Sequence, residues 1–124
     1  MTRHTNREKA MFVTYQNQMQ NRPVEELIRD NFTEEEQTDE YIINVVRLAI
    51  ENTDRYHSYI DEVLDGWTFE RLGYIEKAIL LLGCSEFAEK KVEAAVIIDE
   101  CVELAKNYCD EDTYKLINRV LDII

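Results

Sequence analysis

Arg3 and Arg7 stand four residues apart near the start of the chain. In a helix that spacing sets two guanidinium groups one turn apart. Tyr15 follows in the same stretch, and Tyr108 lies near the other end. Cations and flat rings are the two tools that hold single-stranded RNA: cations meet backbone phosphates, and rings take bases that have left the stack. The combination works only if the fold brings both rings to one surface. Lys77, Lys106, Lys115 and Arg119 are candidates for extending the charge. Each of these residues also has a plain structural reading. Tyr15 falls on the apolar line of its helix and reads equally as core. Tyr108 sits at a helix end, where a half-buried ring with a wet hydroxyl is ordinary. Asn118 reads as a hydrogen-bonder to a neighbouring backbone, and the arginines as a solvated helix start.

Other chemistries find less support. His4 and His57 are far apart, and no cysteine pairs with either at ligand spacing, so zinc is not expected. The acids form no calcium-loop pattern, and there is no glycine-rich phosphate loop. Cys84-Ser85-Glu86 lies within an apolar run. A nucleophile needs a base in reach, and here Cys84 reads as core and Glu86 as a helix-end hydrogen-bonder. Cys84, Cys101 and Cys109 form no CxxC and read as reduced thiols of a cytoplasmic protein. Neither an enzyme nor a cofactor is expected.

The chain has 124 residues, which suggests one domain over residues 1–124. Three glycines and one proline are few for tight-turned β architectures, so an all-α chain is favoured. The start carries Arg3, His4, Arg7 and Glu8 rather than an apolar run, so no signal peptide is expected. No stretch reaches the roughly 20 apolar residues of a membrane span. The net charge is −12. Residues 1–22 set Arg3, Arg7, Lys9 and Arg22 against Glu8, residues 23–70 carry 14 acids and three bases, and residues 71–124 carry 11 acids and seven bases. So acidic a chain is a poor general binder of nucleic acid. Any RNA site must be local, and works best with a basic partner protein supplying further charge.

The elements that must position these residues follow from apolar spacing. Thr5 or Asn6 caps a first helix running to about Gln20, with Met11, Phe12, Tyr15 and Met19 as its apolar face. Arg22-Pro23 breaks it, and Pro23 suits the first turn of a short second helix facing in with Leu27, Ile28 and Phe32. Thr33 to Thr38 reads as a polar loop whose glutamates are solvated. A third helix starts at Thr38 or Asp39 and buries Ile42, Val46 and Ala49, flanked by Ile43 and Ile50. A fourth spans Tyr56 to Leu64, with Tyr59, Ile60, Val63 and Leu64 apolar and Gly66 beyond its end. Thr68 caps a fifth, apolar nearly all round from Ile75 through Leu82, which makes it the central buried helix. In the sixth, Ala95, Ile98, Val102, Ala105 and Cys109 form a stripe. An acidic corner, Cys109 to Asp112, leads with Asp112 as N-cap into a last helix that buries Ile117, Val120, Leu121 and Ile124.

The closing stretch, with Glu100, Glu103-Leu104-Ala105-Lys106, Tyr108, Glu111-Asp112, Lys115, Ile117-Asn118 and Val120-Leu121-Asp122 in order, resembles the C-terminal signature of the NusB family of transcription antitermination factors. Arg71 to Leu80 resembles that family's central helix, and Arg7, Ala10 and Tyr15-Gln16 its opening helix. The resemblance covers nearly the whole chain, more strongly after Trp67 than between Pro23 and Asp65. It implies an all-α bundle of about seven helices. It implies binding of the boxA element of ribosomal RNA leader transcripts together with NusE, a small-subunit ribosomal protein, and a link to the RNA polymerase elongation complex through other Nus factors. Residue by residue it implies RNA contacts at Arg3, Arg7, Tyr15, Tyr108 and Asp112. Asn118 matches the family's asparagine, and the NusE-facing surface falls around Glu76. The chain also departs from the family. His4 and Thr5 stand where arginines are frequent, Ala95 for a lysine, Leu81 for an arginine, Leu116 for an aromatic, and Arg119 for a glycine. Fewer cations mean fewer phosphate contacts, so dependence on NusE, or lost RNA affinity, follows.

The expectation is a monomer or homodimer that works by assembly rather than catalysis. Two alternatives stand beside it. One is a fragment resembling the RNA-binding domain of an rRNA cytosine methyltransferase. The other is a protein-only interaction module that uses its acidic middle.

Overall fold

Helix α5 (Tyr74–Glu89) is the axis of the molecule, and ten consecutive residues, Lys77 through Glu86, are buried in it. A helix apolar on every side must be covered on every side. In this computed structural model, which describes residues 3–64, 66 and 68–124, the cover comes from α1 (Arg3–Gln20), α3 (Glu40–Glu51), α4 (Thr53–Val63), α6 (Ala94–Tyr108) and α7 (Glu111–Ile123). The short α2 (Val24–Asn31) closes over α1 and α3. Two 3-10 turns, Glu36–Thr38 and Phe69–Arg71, complete the described elements, all of them helical. The all-α bundle of seven helices expected from the sequence is the fold.

Chain breaks occur where the local chemistry demands them. Asn21 adopts the left-handed conformation at φ 55°, and its N–H bonds Asn17 O at 2.8 Å, ending α1 before Pro23. The Asp39 carboxylate accepts from Ile42 N–H at the start of α3. Two helices approach closely at Gly83, where a Cβ would meet Leu121 Cδ2 at 2.8 Å, so α7 lies against bare backbone of α5.

Several faces differ from the expected ones. In α1 the interior takes Asn6, Arg7, Ala10, Met11, Val13 and Thr14, whereas Phe12 and Tyr15 are half-buried and Met19 is exposed. Of the polar ones, Asn6 donates to Asp39 just before α3, Arg7 donates to Glu86 of α5, and Thr14 donates back to Ala10 O within α1. In α6 the buried line is Ile97, Cys101, Leu104 and Ala105 rather than the stripe through Ala95 and Val102. In α4 Tyr56 and Ile60 face in and Tyr59 faces out, and Ile124, just past the end of α7, is exposed. The loop after α2 is not wholly solvated. Glu36 is 2% exposed and accepts from Thr33 N–H at 2.8 Å and from the Lys9 ammonium. Those donors hold its carboxyl below the usual carboxylate range. The fifth helix begins at Tyr74 rather than near Thr68, since Phe69–Arg71 forms a separate turn and Gly73 N–H donates to Glu76 Oε2 at 3.1 Å.

Candidate nucleic-acid interface

The end of α6, the start of α7, the start of α5 and the outer face of α1 converge on one cleft. Tyr15, Tyr74 and Tyr108 line it, with Glu76, Cys109 and Asp110 among its other walls. Tyr15 meets Tyr74 edge-on, ring centres 6.4 Å apart, and Tyr108 meets Phe12 edge-on at 5.3 Å. Edge-to-face contact fixes the rings without covering their faces. Tyr108 is 40% exposed and Tyr74 44%. Partial burial and the Glu8 carboxylate push the Tyr108 phenol above its usual pKa, so it stays a protonated donor at neutral pH. The Cys109 thiol is pushed up to about 11 by burial and by the Glu76 and Asp110 carboxylates. It is not a nucleophile there.

The acidic corner caps α7 through Asp110, whose carboxylate accepts from Thr113 N–H at 2.9 Å. That replaces the expected cap at Asp112. The helix starts at Glu111, so only the residue before it has the extended backbone that aims a carboxylate at the third amide. Asp112 is left exposed, lining a second groove that runs on from the cleft between the Phe69–Arg71 turn and α7. Glu76 lines both, and its Oε1 sits 3.5 Å from the Thr113 hydroxyl. Asn118 is exposed on α7 and lines neither.

The N-terminal cations are bound inward. Arg7 is 7% exposed, with Nη2 2.8 Å and Nε 3.1 Å from Glu86 and Nη1 4.0 Å from Glu100. Burial alone lowers a guanidinium pKa, but the Glu86 hydrogen bond and charge outweigh it, so Arg7 stays permanently charged. Tyr41 donates its hydroxyl to Glu86 at 2.8 Å. Burial and this carboxylate raise its pKa. Glu86, in the last turn of α5 as a helix-end hydrogen-bonder, is thus also the hub of a buried network. Arg3 lies over the Tyr41 ring at 4.8 Å and pairs with Asp39 at 3.0 Å, and His4 lies 3.0 Å from Glu100. Lys77 is buried between Phe69 and Tyr74, its Nζ 5.0 Å from the Tyr74 ring centre. Lys106 faces Tyr114 and Glu103, and Lys115 pairs with Glu111 at 2.8 Å. Cys84 is core, its thiol pushed up to about 12 by burial.

Of the six residues expected at RNA, the structure gathers Tyr15 and Tyr108 in one cleft with Asp112 beside it. Arg3 and Arg7 lie on acids at the α1–α3–α5 junction, and Asn118 stands apart. Sequence reasoning missed Tyr74. Its signal is an exposed ring at the first position of a helix, where no core needs it. It also missed Tyr41 and Glu100 as partners of the arginines, which no local spacing reveals.

A seven-helix bundle carrying a ring-lined cleft at a helix corner is, by class, a binding module. Among the described residues no group of three or more His, Cys, Asp or Glu is placed to hold a metal, and no helix is long and apolar enough to cross a membrane. The chain belongs to the NusB family, whose sequence model matches residues 4–124. It is 32% identical over 126 residues to the transcription antitermination protein NusB of Nitratiruptor sp., covering 99% of this chain and 91% of that one. It is 34% identical over 125 residues to the NusB of Acetivibrio thermocellus, covering 98% and 86%. Among solved structures, T. maritima NusB superposes with a TM-score of 0.89 at 25% identity, covering 99% of this chain and 89% of that one. A complex of antitermination factors NusB and NusE with double-stranded RNA has a matching chain at TM-score 0.81 and 27% identity, covering 99% and 96%.

Proposed function

We propose that this protein is a transcription antitermination factor. With NusE it grips a boxA-type single-stranded RNA in ribosomal RNA leader transcripts and links it, through other Nus factors, to elongating RNA polymerase in the cytoplasm. The observation that carries the reading is the cleft in which Tyr15, Tyr74 and Tyr108 stand around one opening at the α1–α6–α7 corner. Unstacked bases lie on such rings. Asp112, exposed beside the cleft, accepts from base amino groups. Asn118 and the outward side of Arg3, 47% exposed, serve bound RNA further out. Arg7 is a positioning residue, since its guanidinium reaches Glu86 and not solvent. NusE docks around Glu76, at the cleft edge. The activity is assembly, not catalysis.

The pairing of Arg3, Arg7 and Lys9 with Asp39, Glu86 and Glu36 favours a second reading, a protein-only module in which NusE supplies every RNA contact. Titrating labelled boxA RNA with and without NusE separates the two. The RNA reading expects a NusE-dependent gain in affinity. It also expects a roughly 10-fold or greater loss in the Tyr15→Ala, Tyr108→Ala double variant, from stacking worth about 1–3 kcal/mol per base. An unchanged affinity in that variant, with NusE binding intact, establishes the protein-only module.

A further inference from the structure

We propose that the RNA path does not end at the ring cleft. It crosses an acidic sill into the groove along α7, where Arg119 holds a backbone phosphate. The inference rests on the RNA-binding reading above and extends its footprint.

The cleft and the groove share Gly73, Glu76, Asp110 and Thr113 as lining, so they form one continuous depression. The shared strip is anionic. Its two carboxylates cap α5 and α7 and are held there by Gly73 and Thr113 amides. A phosphodiester backbone cannot rest on carboxylates, so a strand crossing this strip turns its bases down and its phosphates up. Beyond the strip the cations outnumber the acids, with Arg71, Lys115 and Arg119 around the groove against Asp112.

Arg119 differs from most cations of this protein. Arg3, Arg7, Lys9, Arg22, Arg47, Lys106 and others are matched by carboxylates. Lys115 is paired with Glu111. Among the described residues Arg119 meets no carboxylate, is exposed, and lines the depression. A guanidinium without a partner matches a phosphate bidentately at no cost in broken ion pairs. Arg29, also exposed, lies on α2 within electrostatic reach of Glu25 and lines neither the cleft nor the groove. It supplies a control of equal charge.

The test is the salt dependence of affinity for a boxA-type RNA, with NusE present, in the wild type, Arg119→Ala and Arg29→Ala. One lost phosphate contact on a single strand reduces the slope of log affinity against log salt by about 0.7. The expected result is that reduction, with weaker binding, in Arg119→Ala alone. Thermal unfolding of both variants confirms that each is folded. A wild-type slope in Arg119→Ala overturns the extension and leaves the ring cleft standing. Equal changes in both variants show a general charge effect and overturn it too. Absence of RNA binding by the wild type overturns the underlying reading, and this one with it.

Discussion

At the scale of single residues the decisive group is Glu86, a carboxylate 2% exposed in the last turn of the central helix. A buried charge persists only when partners replace the water it has lost. Arg7 supplies two donors and Tyr41 a third. The pair spans 79 residues of sequence and ties α1 to α5. Removing one partner of a buried ion pair costs about 3–5 kcal/mol, because the other charge is left uncompensated. Arg7→Met is therefore expected to lower the urea midpoint strongly. Tyr41→Phe, which removes one hydrogen bond to a charged group, costs about 1.5 kcal/mol. The two losses should combine non-additively, since both act on Glu86. An unchanged midpoint in Arg7→Met would show that Glu86 finds water in solution. It would return Arg7 to the list of residues free to meet RNA.

At the scale of elements, the acidic corner between α6 and α7 separates two aspartates by role. Asp110 caps α7, so Asp110→Ala should lower the melting temperature, and Asp110→Ser, which keeps an acceptor, should restore most of it. Asp112 caps nothing and meets only the helix dipole, so Asp112→Ala should lower melting less than Asp110→Ala and should weaken RNA binding. Melting curves and RNA titrations on the three variants check the division. The corner also shows where sequence reading stops. That a helix follows an acidic turn is legible from Ile117, Val120 and Leu121, all three of which are buried. Which aspartate caps it depends on a start fixed by packing, and the two differ only in backbone conformation. The same holds for α1. Its existence and its end before Pro23 were legible, but apolar spacing selects Met19, which is exposed, and rejects Asn6, Arg7 and Thr14, which are buried. Periodicity counts apolar atoms, whereas burial here follows partners distant in sequence, such as Asp39 and Glu86. The rings show the opposite case. Tyr15 and Tyr108 were legible through family likeness, and Tyr74 became visible only when the helix starts converged.

At the scale of the whole molecule, the net charge of −12 sets two opposing trends. Long-range repulsion among surplus carboxylates weakens the folded state and is screened by salt over about 8–10 Å. Local pairs act the other way. Glu36 sits below its usual pKa through the Lys9 bond and the Thr33 amide. Burial pushes the Asp39 carboxyl up, but hydrogen bonds from Arg3, Asn6 and the Ile42 amide outweigh it and hold it below its usual value. A carboxyl whose folded pKa lies below its unfolded value adds stability that is present above the unfolded value, near about 4. That stability is lost as pH falls through the folded pKa. Both groups anchor α1 to the segment between α2 and α3. The melting temperature should therefore rise with added salt at pH 7, where repulsion is large and the buried Arg7–Glu86 pair is little screened. It should fall steeply below about pH 4, where the anchors protonate. Asp39→Asn keeps an acceptor without the charge, so it should start lower at pH 7 and lose less on acidification. If its acid limb ran parallel to the wild type, stability in acid would be governed by charges elsewhere on the surface rather than by the attachment of α1.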